Sequence, residues 1–233
     1  MACIGCAGLD LPGLDKIGAS SFHNGRQCPI SIHTSAVLNG APGVALAFED
    51  NASEILHSGH SIEVRFAPGD TLERGGVRYM LRQLHFHTPS ETFIDGEAFP
   101  METHLVYQAL PANAPEGALP EESAPLLVAA VFVKAGKANP ALAELLANAP
   151  ADGEPPRDFV GFDPEPLVPA SFDHFSFEGS LTTPPFTEGV QWIVLKTPVE
   201  ASAEQIAAVE AILGNNARSI QPLNGRTIAK HEA

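Results

Sequence analysis

Two short segments of this sequence carry the residues best suited to chemistry. In Gln83-Leu84-His85-Phe86-His87, side chains on an extended strand alternate in direction, so Gln83, His85 and His87 share one face. Two imidazoles spaced this way can reach a single ion. In Glu102-Thr103-His104 a carboxylate and an imidazole share a face in the same manner. If this second strand lies antiparallel beside the first, His104 becomes a third nitrogen ligand. Three histidines with one open position are the ligand set of a catalytic zinc, whereas closed structural sites use four protein ligands, often cysteine. Gln83 and Glu102 are placed to accept the remaining ring N–H of a neighbouring histidine, which would fix its tautomer and orientation.

A rival reading uses the same histidines. His85-x-His87-x-x-x-Glu91 matches the ligand run of cupin-type jelly-roll proteins, in which the glutamate joins the histidines on iron or another metal, and a metal oxygenase follows. That reading expects Pro-x-Gly ahead of a final histidine, and His104 follows Glu-x instead. The discriminator is whether Glu91 belongs to the ligand cluster.

The elements that must position these residues are mostly strands. Ser61–Phe66 alternates polar and apolar residues. Val77–His87, Glu102–Gln108, the near-continuous apolar run Leu126–Lys134, and Gln191–Leu195 complete the set. Two helices are expected. Asn139 caps a helix whose first position is Pro140; it runs through Ala141–Asn148 and stops at Pro150. Ser202-x-x-Gln205 forms a capping box, with Ile206, Val209 and Leu213 on one apolar face and Gly214 at the end. Residues 111–125 and 149–170, rich in Pro, Ala and Glu, read as long surface loops inside one domain.

The 233 residues suffice for one large domain with a sizeable core. Acidic residues outnumber basic ones 28 to 13, a net charge of −15. That balance argues against nucleic acid or an anionic membrane as a partner. No stretch approaches the roughly 18 apolar residues of a membrane span. No signal peptide is visible at the N-terminus, so the expectation is a cytoplasmic chain, or a periplasmic or secreted one whose signal has been removed. Of the three cysteines, Cys3 and Cys6 form a C-x-x-C pair without the strand–helix context of a redox motif, and Cys28 stands apart. The pair reads as part of a frayed terminal segment.

The sequence resembles the α-class carbonic anhydrases, bacterial branch. The resemblance runs from about residue 24 to 228 and rests on Gly-Arg-Gln-Cys-Pro-Ile-Ser-Ile (25–32), Gly-His-Ser-Ile-Glu-Val-Arg-Phe (59–66), Gln-Leu-His-Phe-His-Thr-Pro-Ser-Glu (83–91), Met-Glu-Thr-His-Leu-Val (101–106), Gly-Ser-Leu-Thr-Thr-Pro-Pro-Phe-Thr-Glu-Gly-Val-Gln-Trp (179–192) and Asn-Ala-Arg-Ser-Ile-Gln-Pro-Leu-Asn-Gly-Arg (216–226). It implies a mainly β, α+β domain over residues 25–233, preceded by a divergent segment, 1–24. The implied fold is a twisted, mainly antiparallel central sheet of about ten strands with peripheral helices. The implied activity is reversible hydration of carbon dioxide to bicarbonate, with Zn2+ held by His85, His87 and His104 and inhibition by sulfonamides.

By the same resemblance, Thr182 and Glu91 orient the attacking hydroxide. Val106, Val128, Leu181, Val190 and Trp192 wall the carbon dioxide pocket, and Thr183 contacts bicarbonate. His60 shuttles the proton, with His57 as a lesser helper, and a homodimer is compatible with the family. The chain departs from the pattern in several places. The N-terminal aromatic segment has no counterpart, Phe186 stands where many bacterial members carry a disulfide cysteine, Cys28 replaces a serine, and Glu63 replaces an asparagine near the shuttle. The expectation for Glu63 is a carboxylate that favours the charged form of His60. A non-catalytic binding protein on this fold is the remaining alternative, but such relatives typically lack a zinc histidine and this chain keeps all three.

Overall fold

The computed structural model describes residues 25–232. The Cys3–Cys6 pair lies outside them. The strands are β1 (Ser31–Ile32), β2 (Leu38–Asn39), β3 (Val44–Ala47), β4 (Ala52–His57), β5 (Ile62–Phe66), β6 (Thr71–Arg74), β7 (Val77–His87), β8 (Phe93–Ile94), β9 (Met101–Ala109), β10 (Leu126–Ala135), β11 (Arg157–Asp158), β12 (His174–Ser180), β13 (Glu188–Ala201) and β14 (Ala229–His231). The helices are α1 (Pro140–Asn148) and α2 (Ala203–Leu213).

Among the described residues one mixed sheet of 12 strands dominates, in the order β11-β4-β5-β7-β9-β10-β13-β12-β14-β2, with β6 pairing both β7 and β3 beside that path. The ten strands of the path match the expected central sheet. Most pairings are antiparallel; β10–β13 and β14–β2 are parallel. β1 and β8 form a separate parallel ribbon.

Each helix begins as its sequence dictates. The Asn139 side chain accepts from Leu142 N, and Ser202 and Gln205 make both bonds of the capping box. The helices bury Ala141, Leu142, Leu145, Ile206 and Val209 on one face of the sheet, against Leu84, Phe86, Leu105, Leu127 and Leu195. The other face carries a second apolar cluster that includes Val106, Val128, Ala130, Phe177, Val190 and Trp192. The helix-covered face is therefore the structural core, and the histidines point the other way.

A bulge decides which residues of β7 face which side. Leu81 pairs with Tyr107 and Gln83 with Val106, so Arg82 is an extra residue in β7. Leu81 ahead of it and Leu84 and Phe86 beyond it all enter the helix-side core, although simple alternation would separate them. Gln83, His85 and His87 are thereby set on the opposite face.

Two expectations need correction. Residues 149–170 are not a plain surface loop. They contain β11, which pairs with β4, a 3-10 turn at Glu165–Leu167, and the buried Phe159, Phe162 and Leu167. The strand expected at Gln191–Leu195 extends over Glu188–Ala201, because β13 has partners on both sides, β10 and β12.

Candidate metal centre

β7 and β9 run antiparallel with His85 directly opposite His104 and His87 opposite Glu102. One nitrogen from each of His85, His87 and His104 lies within 4.8 Å of the others, and all three residues are buried. The Nε2 atoms of His85 and His87 are 3.1 Å apart.

The second nitrogens show what these rings are prepared to do. His85 Nδ1 donates to Gln83 Oε1 at 2.8 Å. His104 Nε2 donates to Glu102 Oε1 at 3.0 Å. A neutral imidazole that donates through one nitrogen presents a lone pair at the other. His85 Nε2 and His104 Nδ1 are thus fixed as acceptors that converge on one point. Burial first, and then the neighbouring His104 charge, hold His85 and His87 well below the ordinary imidazole range, in their neutral, ligand-competent form. Burial also works against charge on His104, but the Glu102 hydrogen bond and charge outweigh it and raise that ring. Three imidazole nitrogens on adjacent strands, with the outer nitrogens of His85 and His104 tethered, suit a zinc ion.

Glu102 is itself over-determined. It is fully buried and takes Thr92 N at 2.8 Å and Thr92 Oγ1 at 2.9 Å in addition to His104. Glu91 lies elsewhere, beside the outer nitrogen of His87, 3.4 Å from Nδ1, and is not part of the converging set. The cupin-type reading needed Glu91 among the ligands, so the geometry disfavours it. Arg218 N donates to Glu91 Oε1 at 2.8 Å. Burial pushes the Glu91 carboxyl up to about 7, partly offset by the His104 charge, the Arg218 N–H and the Thr182 side chain.

The apolar residues expected around the site come together. Val106, Val128, Leu181, Val190 and Trp192 belong to one buried cluster on the histidine face. Trp192 stands edge-on to His104 with ring centroids 5.1 Å apart and donates to Ser180 O at 3.0 Å. The Thr183 hydroxyl is buried without a hydrogen-bond partner, as suits a group kept for a ligand.

His60 is half-buried in the bend between β4 and β5. Its carbonyl accepts from Asn216 Nδ2 at 2.8 Å, and the same amide reaches Phe86 O at 3.0 Å, tying that bend to β7. His57 instead takes Gly59 N at 3.1 Å and sits 3.5 Å from Asp152. Glu63 belongs to β5. It is buried directly opposite His85, and Arg65 Nε donates to its Oε1 at 2.9 Å. Arg65 also reaches Glu54 Oε2 at 3.4 Å, so one guanidinium serves two carboxylates.

Two positioning residues escaped the reading of the sequence. Asn216 and Arg218 fall in the 216–226 segment, yet nothing in their types announces a role. Arg218 Nη1 also holds Gln27 Oε1 at 2.9 Å and Cys28 O at 2.6 Å, and its guanidinium lies 3.8 Å over the Phe186 ring. Phe186 therefore helps anchor the 27–28 segment by stacking, at the position where bacterial relatives were expected to use a disulfide.

A model of the eukaryotic-type carbonic anhydrase family matches residues 16–232. The chain belongs to the carbonic anhydrase family. The carbonic anhydrase of Pectobacterium carotovorum is 42% identical over 207 residues, covering 87% of this chain and 79% of that protein. The carbonic anhydrase of Neisseria gonorrhoeae is 36% identical over 207 residues, covering 87% and 76%. Among solved structures, the α-carbonic anhydrase of Thermovibrio ammonificans, in complex with the inhibitor sulfanilamide, superposes with a TM-score of 0.80 at 33% identity, covering 88% of this chain and 87% of that one. The Photobacterium profundum α-carbonic anhydrase gives 0.79 at 33% identity, covering 92% and 93%. The mainly β fold built on one large sheet is thus the fold of this enzyme family, and the converging histidines are compatible with its zinc.

Proposed function

We propose that the chain catalyses the zinc-dependent, reversible hydration of carbon dioxide to bicarbonate and a proton. The observation that carries the reading is the convergence of His85, His87 and His104, with Gln83 and Glu102 fixing two of the rings. Zinc held by these three nitrogens would supply a water ionised near neutral pH as the nucleophile.

The remaining work belongs to the chain. A threonine hydroxyl has one proton to donate. If Thr182 gives it to Glu91, whose other oxygen is held by Arg218 N, the Thr182 oxygen can only accept, and it aims the attacking water's lone pair toward the substrate. Val106, Val128, Leu181, Val190 and Trp192 offer an apolar, water-poor wall suited to a linear apolar molecule. The free Thr183 hydroxyl is available to the bicarbonate product. The proton leaves through a group that titrates near neutrality, and His60 is the residue type for that role.

The test is metal content and carbon dioxide hydration of the wild type and His104→Ala. About one zinc per chain, sulfanilamide-sensitive activity, and loss of both metal and activity in the variant are expected. Activity in zinc-free protein would end the reading.

A further inference from the structure

A second concavity lies on the histidine side of the sheet but shares no residue with the metal centre. It has a volume of ≈ 330 Å³ and opens between β8 and strands β10, β12, β13 and β14. Its floor is aromatic: Phe99 and Phe132 stack with centroids 4.3 Å apart, and Phe175 and Ile94 extend the surface. Two lysines reach over it. Lys196 Nζ sits 4.9 Å above the Phe175 ring, and Lys230 lies on the neighbouring strand β14.

These lysines already hold a carboxylate. Glu232 bridges them, with Oε1 2.5 Å from Lys196 Nζ and Oε2 2.8 Å from Lys230 Nζ. The pair draws the Glu232 carboxyl down to about 2. Glu232 is half exposed, whereas the lysine side chains are 20% and 29% exposed. The glutamate is thus the most exposed member of the triad, and the two cations are the more buried ones. Thr34, another lining residue, gives its N–H and its hydroxyl to Asp95, at 2.9 and 2.7 Å.

We propose that this cavity binds a small aromatic monocarboxylate, its ring on Phe99, Phe132 and Phe175 and its carboxylate on Lys196 and Lys230 in place of Glu232. The volume is at the low end for ligand pockets and suits a single ring. A chain of net charge −15 repels anions over most of its surface, so two converging lysines above an apolar floor are a local exception. The Phe175 ring attracts the Lys196 ammonium and helps hold it over the apolar floor.

Benzoate is the probe, with benzyl alcohol as its neutral counterpart, titrated into the zinc-loaded full chain by calorimetry or saturation-transfer NMR. Benzoate is expected to bind more tightly than benzyl alcohol. Lys196→Gln and Lys230→Gln are each expected to weaken benzoate about tenfold, as loss of one charge-assisted contact does. Glu232→Gln, which removes the internal competitor, is expected to strengthen it severalfold. Lys134→Gln, at an exposed lysine paired with Glu200 elsewhere on the surface, serves as the control for net charge and is expected to change nothing. Thermal melts establish that each variant is folded; Lys230, at a three-residue strand, is the substitution least exposed to that difficulty. Equal affinity for the acid and the alcohol, indifference to both lysine variants and to Glu232→Gln, or no binding at millimolar benzoate would each overturn the proposal.

Discussion

The Glu102 carboxylate accepts from His104 Nε2 at 3.0 Å while Thr92 supplies two further donors to the same side chain. The His104 nitrogen that faces His85 and His87 is consequently decided by a residue outside the histidine cluster. Because all three donors already demand acceptors, Glu102→Gln must turn an NH2 group toward at least one of them. Zinc affinity, read by competition with a coloured chelator, is expected to fall about 10–100-fold. Unchanged affinity would mean that strand geometry alone holds His104.

Thr182 and Glu91 give a second prediction. Removing the hydroxyl in Thr182→Ala is expected to lower kcat/KM for carbon dioxide about a hundredfold, with zinc content unchanged. Thr182→Ser keeps the donor and is expected to retain most of the activity. Equal losses in both variants would show that the methyl group, and not the proton, matters.

Gly179 faces the sulfur of Cys28 and the edge of Trp192, and a Cβ at that position would stand 2.2 Å from Cys28 Sγ and 3.0 Å from Trp192 Cδ1. Neither side chain is at the surface. Gly179→Ala is expected to cost about 1–3 kcal/mol in urea unfolding by overpacking. Since Trp192 abuts His104, activity should fall in the same variant, and Cys28→Ala in the Gly179→Ala background should recover part of both.

Burial raises the Cys28 thiol to about 11, against smaller lowering influences from Ser180 and Arg226. The folded state therefore holds this proton more tightly than the unfolded state. The stabilising contribution is complete below about pH 9 and is lost as pH rises from there to about 11. In a Cys3→Ser/Cys6→Ser background, alkylation at pH 8 is expected to be slow for the folded chain and fast in denaturant; rapid labelling of folded protein would contradict the burial.

His174 and His231 face each other across β12 and β14 with rings stacked 5.5 Å apart. His174 is fully buried, donates to Phe172 O at 2.8 Å, and has no partner for Nε2. Burial first, with the charges of His231 and Arg74, lowers its pKa against the opposing effect of the Phe172 and Pro42 carbonyls. A depressed histidine stabilises the fold fully above its unfolded value of about 6.5, and that contribution is lost as pH falls below it. The slope is at most about 1.4 kcal/mol per pH unit for one group. Urea midpoints of His174→Gln should depend less steeply on pH than the wild type between pH 5 and 7; parallel curves would assign acid sensitivity elsewhere.

How much of this was legible beforehand depends on the range of the interaction. Histidine spacing, strand alternation, the Asn139 and Ser202 caps and the excess of acid are local, and local rules fix them: a period of two, a capping oxygen, a charge count. From them the sequence alone marked a histidine cluster, the two side chains that hydrogen-bond to it and a strand-rich fold. The tertiary structure decided what depends on residues far apart in the chain. The Arg82 bulge selects the face of β7 that carries His85 and His87, and no local pattern marks it. Arg218 meets Glu91 across 127 residues of chain, and Lys196 meets Glu232 only because β12 lies between β13 and β14. Pairwise contacts of that range are set by register and strand order, which follow from closing the whole sheet over its core.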